Sequence, residues 1–139
     1  MRLTVTGEGS RSNRTTFKAY CLVSDSVGDA VYIRGDRIDL VYQVTKVNID
    51  ALSAIQACTV GLIRTKLTAT TCIVQTSGEF NTSGLTPGKL LFVSTQSQIS
   101  CAPPDHPLTG TRILQTLGTA LASDVALLRI GPPVRLIPA

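Results

Sequence analysis

Side chains that could carry acid–base or nucleophilic chemistry are few and scattered in this chain. It has a single histidine, His106, and nine carboxylates that form no recognised acidic pair. The spacings GxSxG, HExxH and GxxxxGK[ST] do not occur. His106 lies among Pro103, Pro104 and Pro107, which is typical of a solvated loop histidine rather than of a proton shuttle. We therefore expect no catalytic residue, no cofactor and no enzymatic activity.

Four cysteines are the remaining candidates for chemistry. Cys21, Cys58, Cys72 and Cys101 are separated by gaps much wider than the close pairs that bind zinc. The first three lie in apolar, strand-like runs, where a free thiol behaves as a small buried hydrophobic group. We expect no metal site. Reduced core thiols are the favoured interpretation and disulfides the alternative, because a cytoplasmic chain is made in a reducing environment.

The tripeptide Arg34-Gly35-Asp36 has two interpretations. It reproduces an integrin-binding sequence, yet Gly and Asp are also the residues that a tight turn between two strands requires. The segment follows the apolar run at 30–33 and precedes a second run at 38–47. We favour a turn over an adhesion site.

Charge and composition exclude several classes of protein. The formal charge is +4, from thirteen Lys and Arg against nine Asp and Glu, but the basic residues are scattered and lack interleaved aromatic residues. We expect no nucleic-acid binding. Hydrophobic residues make up 43% and charged residues 16%, which is too apolar for disorder. No apolar run approaches the roughly 18 residues that cross a membrane, and the polar start of the chain is not a secretory signal.

The apolar residues are mainly Val, Ile, Leu and Ala, with abundant Thr, and they occur in short runs between turn residues. This pattern predicts an all-β fold: a compact barrel or sandwich of short antiparallel strands in one domain, 1–139. One short helix is predicted at about 49–56, capped by Asp50. Leu40, Tyr42 and Val44 are expected on one buried strand face. The predicted strands are 17–23, 30–33, 38–47, 58–64, 70–75, 90–94 and a final hairpin, 112–121 with 124–130.

Both ends of the chain are predicted to bind partners. Residues 7–16 form a small, polar, basic arm or loop, which we expect to be flexible, and residues 131–139 form an extended tail stiffened by prolines. Basic side chains would pair with acidic patches, and apolar ones would fill grooves between neighbouring subunits. Disorder is the alternative for both segments. The candidate partner-binding residues are Arg11, Arg14, Lys18, Val134, Arg135, Leu136 and Ile137.

A series of short phrases between Tyr42 and Leu128 is similar to a known group of proteins. In order they are "VYQVTKVNIDAL", "VGLI", "TTCIVQTSGEF", "GLTPGKLLFVST", a proline-rich loop and "ILQTLGTALASDVALL", followed by a "PP" tail. The chain resembles the small β-rich structural proteins of tailed bacteriophages, which decorate heads or occur in necks, tails and fibres. The resemblance covers roughly two thirds of the chain.

The resemblance implies a capsid decoration, or cement, protein on the virion surface, made in the host cytoplasm. It would bind the major capsid protein and copies of itself, with a homotrimer favoured, and would stabilise the head. The alternative is a tail, neck or fibre component that joins virion parts or contacts the host surface. A small β enzyme or ligand-binding barrel would need an enclosed pocket with converging polar groups, and no sequence feature indicates one. We expect no small-molecule substrate.

Overall fold

A computed structural model describes residues 15–138 of the chain. Within this range the fold has eleven strands and one helix of four residues. In chain order the elements are β1 (Thr15–Tyr20), β2 (Ala30–Ile33), β3 (Tyr42–Lys46), α1 (Ala54–Ala57), β4 (Gly61–Thr68), β5 (Thr71–Asn81), β6 (Leu90–Val93), β7 (Ile99–Ser100), β8 (Arg112–Leu114), β9 (Thr116–Ala122), β10 (Val125–Arg129) and β11 (Val134–Leu136).

Five strands close into a small barrel. Their order is β1-β3-β2-β4-β5, and β5 pairs with β1 to complete the circle. The pair β1–β3 is parallel, and the other pairs are antiparallel. The prediction of an all-β fold built on a barrel or sandwich is therefore confirmed.

Strand β5 belongs to two parts of the sheet. Its first half pairs with β4, and its second half, from Ser77 onward, pairs with β10, which continues to β9, β6 and β7. The two halves meet at Gly78, whose φ of 90° suits a residue without a side chain. The buried Gln75 amide donates from Nε2 to the carbonyls of Ser77 at 3.0 Å and Glu79 at 2.8 Å. These bonds hold the bend.

Strand alternation produces two separate cores. Adjacent residues point to opposite faces of a strand, so Val31 and Ile63 face the barrel interior, whereas Ala30 and Leu62 face outward. The interior also contains Ala19, Cys21, Val44, Cys72 and Val74. The outward residues pack with Val47, Ile49, Phe80, Leu85, Leu91, Val93, Leu117, Ala120, Ala126 and Leu128. The part of the sheet formed by β10, β9, β6 and β7 thus packs against the outside of the barrel.

The predicted helix at about 49–56 is displaced. The helix spans Ala54–Ala57, its N-cap residue is Ser53, and no side chain caps it. Ile49 is buried in the second core, and Asp50 binds Arg112 instead of capping a helix. The prediction misplaced the helix because it treated the apolar residues of this connection as one buried face. Only some of them face the core, and the others face solvent.

The predicted buried face of the third strand is partly wrong. Val44 is buried in the barrel, but Tyr42 lies at the mouth of the barrel, where it is exposed. Leu40 is outside β3 altogether, because Asp39 and Leu40, with φ of 51° and 66°, form the tip of a turn. A left-handed conformation costs a residue with a side chain about 1–2 kcal/mol. The alternation of apolar residues predicted a strand here. A turn that contains Leu, where Gly or Asn is usual, cannot be recognised from the sequence.

Close approach of two strands makes Gly118 essential for stability. A Cβ atom there would lie 1.8 Å from the carbonyl oxygen of Leu127, and its φ is 142°. We expect Gly118→Ala to lower the free energy of unfolding by about 3–5 kcal/mol, through overpacking and backbone strain. Gly84→Ala is the matched control, with φ of 74° and open space, and should cost about 1 kcal/mol. Urea unfolding measures both, and equal losses would contradict this account.

The buried thiols make the stability of the barrel depend on pH in the alkaline range. Burial and contact with the thiol of Cys21 raise the pKa of Cys72 from 9.0 to about 12. The unfolded thiol ionises first as pH rises. The contribution of Cys72 to the free energy of unfolding is therefore fully present below about pH 9 and is lost as pH rises toward 12. We expect urea unfolding of the native chain to show a steeper loss of stability above about pH 9 than unfolding of Cys72→Ala. Parallel pH profiles would exclude Cys72 as the cause.

Candidate docking surface

Strands β8 and β11 form a two-stranded ribbon apart from the main sheet. Val134 lies opposite Leu114, Arg135 opposite Ile113 and Leu136 opposite Arg112. Part of the predicted tail is therefore a paired strand. None of these six residues belongs to either hydrophobic core. Because an isolated two-stranded ribbon is marginally stable in water, other interactions must hold it in place.

The buried side chain of Gln115 anchors the ribbon at its base. The backbone N–H of Thr59 donates to Gln115 Oε1 at 2.8 Å, and Gln115 Nε2 donates to the carbonyls of Thr59 at 3.2 Å and Gly131 at 3.0 Å. The amide thus replaces the partner strand that Thr59 lacks at this point. It also fixes the start of the tail to the start of β9.

Arg112 joins the ribbon to two neighbouring segments. Its Nε lies 2.6 Å from Asp50 Oδ1, its Nη2 lies 3.3 Å from Asp50 Oδ2, and Nη1 donates to the carbonyl of Asp105 at 2.8 Å. The hydrogen bond to Asp50 raises the pKa of Arg112, which therefore stays charged. The backbone N–H of Ile113 donates to the carbonyl of Ile49 at 2.8 Å.

The proline-rich loop is tied to the end of the tail. The exposed His106 places Nδ1 2.8 Å from the carbonyl oxygen of Ile137. A carbonyl only accepts, so Nδ1 carries the donated hydrogen. His106 therefore has a positional role in the structure, and the loop and tail are held together at the ribbon.

One face of this assembly carries apolar side chains that are exposed or half-buried. Opposed residues of an antiparallel pair share a face, so Leu114, Val134 and Leu136 lie on the face that carries Arg112. Leu52 and Leu108 line a cavity of about 470 Å³ with Arg112 and Asp50, and their side chains are 99% and 96% exposed. We name the five apolar residues Leu52, Leu108, Leu114, Val134 and Leu136 the ribbon face.

The free edge of β11 is protected against strand addition. Ile113 directs its N–H toward Ile49 and away from β11, so the opposed Arg135 directs its N–H and carbonyl outward. Pro133 has no N–H to offer, and His106 occupies the carbonyl of Ile137. Arg135 is therefore the one residue of β11 with both backbone groups on this edge, and short edges are poor templates for a neighbouring strand. The ribbon is therefore suited to binding through its side chains.

The predicted partner-binding residues that the structure describes lie on two elements, β1 and the tail. Arg11 and Arg14 lie outside the described residues. Lys18 is exposed on β1, in the barrel, and within residues 15–138 no strand pairing or hydrogen bond joins it to β11. Val134, Arg135 and Ile137 are exposed, and Leu136 is half-buried. Leu52, Leu108, Arg112 and Gln115 were missed, since their roles depend on contacts between segments distant in the sequence.

The remaining predictions concern the Arg34-Gly35-Asp36 segment, metal binding and membrane-spanning helices. Arg34-Gly35-Asp36 lies in the connection between β2 and β3, where Gln43 Nε2 donates to the carbonyl of Asp36 at 2.7 Å. The tight turn of this connection is displaced from the predicted position to Asp39 and Leu40, because Arg34 still donates its backbone N–H to the carbonyl of Gln43. Within residues 15–138 no cluster of three His, Cys, Asp or Glu residues is arranged to hold a metal. In the same range, no helix has the length and apolar character needed to cross a membrane.

Loss of the Gln115 amide should loosen the ribbon. We expect Gln115→Leu to lower the free energy of unfolding by about 2–5 kcal/mol, because buried groups of Thr59 and Gly131 lose their partners. Hydrogen exchange at the amide of Ile113 should accelerate more than exchange in the barrel strands. Gln96→Leu, on an exposed turn, is the control and should change neither value. Unchanged exchange at Ile113 in Gln115→Leu would contradict the anchoring role.

Comparison of the chain with models of known protein families, with curated proteins and with solved structures found no match. The function of the ribbon face therefore has to follow from its own geometry. That geometry combines a fixed two-stranded ribbon, exposed leucine side chains and an adjacent Arg112–Asp50 ion pair.

Proposed function

We propose that this chain is a structural subunit that binds other proteins through the ribbon face and catalyses no reaction. The observation that carries the proposal is the position of the ribbon: its apolar residues lie outside both cores, yet hydrogen bonds fix them in place. Exposed apolar area is stabilising only when it is covered, at about 25 cal/mol per Å². A partner surface supplies that cover.

The fixed geometry favours binding in a second way. Association costs free energy when loops and side chains must be ordered at the interface. Gln115, Arg112 and His106 already order the ribbon, the connection before α1 and the proline-rich loop. Arg112 also places a charged, planar group beside the apolar residues, a combination enriched where interfaces gain most of their affinity.

The resemblance to phage structural proteins supports a specific assignment within this class. In this proposal the chain is a capsid decoration protein that bridges major capsid subunits, as an oligomer with three copies favoured. Each copy would add a modest contact, and the sum over many copies would oppose expansion of the head. The second candidate is a tail, neck or fibre component, for which the same surface would join fewer, larger parts.

Binding to the particle tests the ribbon face. We expect the double substitution Leu52→Ser and Leu108→Ser to raise the dissociation constant for purified heads at least about tenfold, through loss of covered apolar area. The same protein should keep its unfolding midpoint, since both side chains are exposed. Leu121→Ser is the matched control at another exposed leucine. Cosedimentation measures binding, and equal binding by all three proteins would exclude the ribbon face.

Copy number separates the two virion assignments. Quantitative gel densitometry of purified particles should give a ratio to the major capsid protein near one to one for a decoration protein. A ratio below about one to twenty places the chain in a tail, neck or fibre ring. Absence from purified particles would contradict both virion assignments. It would not contradict the binding of another protein through the ribbon face.

A further inference from the structure

An exposed leucine stands at the tip of the connection between β2 and β3. Ile38 and Val41 exchange two backbone hydrogen bonds of 2.9 Å, and Asp39 and Leu40 between them have φ of 51° and 66°. Both central residues of such a two-residue turn take positive φ, for which Asn and Gly are preferred. Leu40 is strained there and 78% exposed, so its side chain contributes nothing to the fold that would offset the strain.

An apolar cavity lies at the adjacent mouth of the barrel. It measures about 320 Å³ and is lined by Phe17, Ile33, Tyr42 and Val60, with Thr15, Thr16 and Thr76 at its border. The rings of Phe17 and Tyr42 pack edge to face, with centroids 5.2 Å apart. Arg37 lies 5.7 Å from the centroid of Tyr42. Within residues 15–138, Leu40 is not among the lining residues, so this turn does not fill the cavity of its own copy.

Charges beside the leucine and the cavity are opposite in sign. Asp39 is exposed next to Leu40 on the turn, and Lys18 is exposed on β1, one residue from Phe17 of the cavity wall. Arg37 lies over Tyr42 at the cavity, although it belongs to the connection that carries Leu40. The turn of a second copy therefore offers the barrel mouth an apolar side chain with a negative charge beside it, and the mouth offers an apolar cavity with Lys18 beside it.

We propose that copies of this chain associate by inserting Leu40 of one copy into the barrel mouth of the next, with Asp39 facing Lys18 of that neighbour. Each copy then uses two different surfaces, so the contact is head to tail, and the closed assembly of such a contact is a ring. Since the barrel mouth and the ribbon face share no residue, this association and the proposed docking role can fail independently.

The test uses the full chain and the variant Leu40→Asn. Asn accepts the left-handed conformation, so the variant should melt about 3–6 °C higher, as expected for relief of about 1 kcal/mol of strain. It should also sediment as a monomer at concentrations where the native chain forms rings, with self-association weakened at least about tenfold. Leu121→Asn, at an exposed leucine near another hairpin end, is the matched control and should leave self-association unchanged.

A double-mutant cycle tests the orientation. Asp39→Asn keeps a residue suited to the turn, and Lys18→Gln keeps a long polar side chain on β1. Each should weaken association about two- to fivefold, and the two together should weaken it no further than either alone. Independent effects that multiply would overturn the pairing.

Three results would overturn the proposal as a whole: a native chain that stays monomeric at high concentration, rings that persist in Leu40→Asn, or rings that are lost equally in Leu121→Asn. If the native chain is monomeric and Leu40→Asn instead weakens binding to heads, the partner of Leu40 is another protein. Failure of the ribbon-face variants to lose particle binding would leave the ring assignment untouched.

Discussion

The bend of β5 at Gly78 is the constraint on which both halves of the fold depend. The first half of β5 has to close the barrel against β1 and β4, and the second half has to start a sheet that covers the outside of the same barrel. A straight strand of eleven residues cannot do both. Gln75 supports the bend because its buried amide donates hydrogen bonds to the carbonyls on either side of Gly78. Hydrophobic packing then stabilises both halves.

Hydrogen bonding replaces packing at the ribbon. The barrel and the covering sheet are stabilised by buried apolar side chains, whereas β8 and β11 contribute none to either core. Gln115 and Arg112 do for the ribbon what a hydrophobic face does elsewhere: they fix its position relative to the body. Because polar groups carry the positioning, the apolar side chains of the ribbon are free to face a partner. If packing of its own leucines held the ribbon in place, those side chains would not be available to a partner.

Sequence reasoning predicted the fold class well and the docking surface poorly, for one physical reason. Alternating apolar residues and turn residues act locally, so β2 and β10 were predicted close to their observed bounds. The predicted strand 112–121 was wrong at its start, because it merged β8 with β9. The pairing of β8 with β11 and the links from Gln115 to Thr59 join residues far apart in the chain, and no local pattern encodes them. Val134 and Ile137 were predicted to bind partners as part of an extended tail, and both are exposed. Leu108 was overlooked because a leucine among loop residues has no periodicity to interpret.

Exposed apolar residues on this chain differ in what the fold does with them, and the difference bears on function. Tyr42 packs against Phe17, so its exposure follows from its place at the end of a barrel. Leu40 has no such explanation, since a residue without a large side chain would relieve the turn and improve the isolated fold. Leu52 and Leu108 likewise gain nothing from packing within the described chain. Packing within residues 15–138 therefore does not account for these three leucines. We propose that an assembled state does, because each of them can bury its surface there against another molecule.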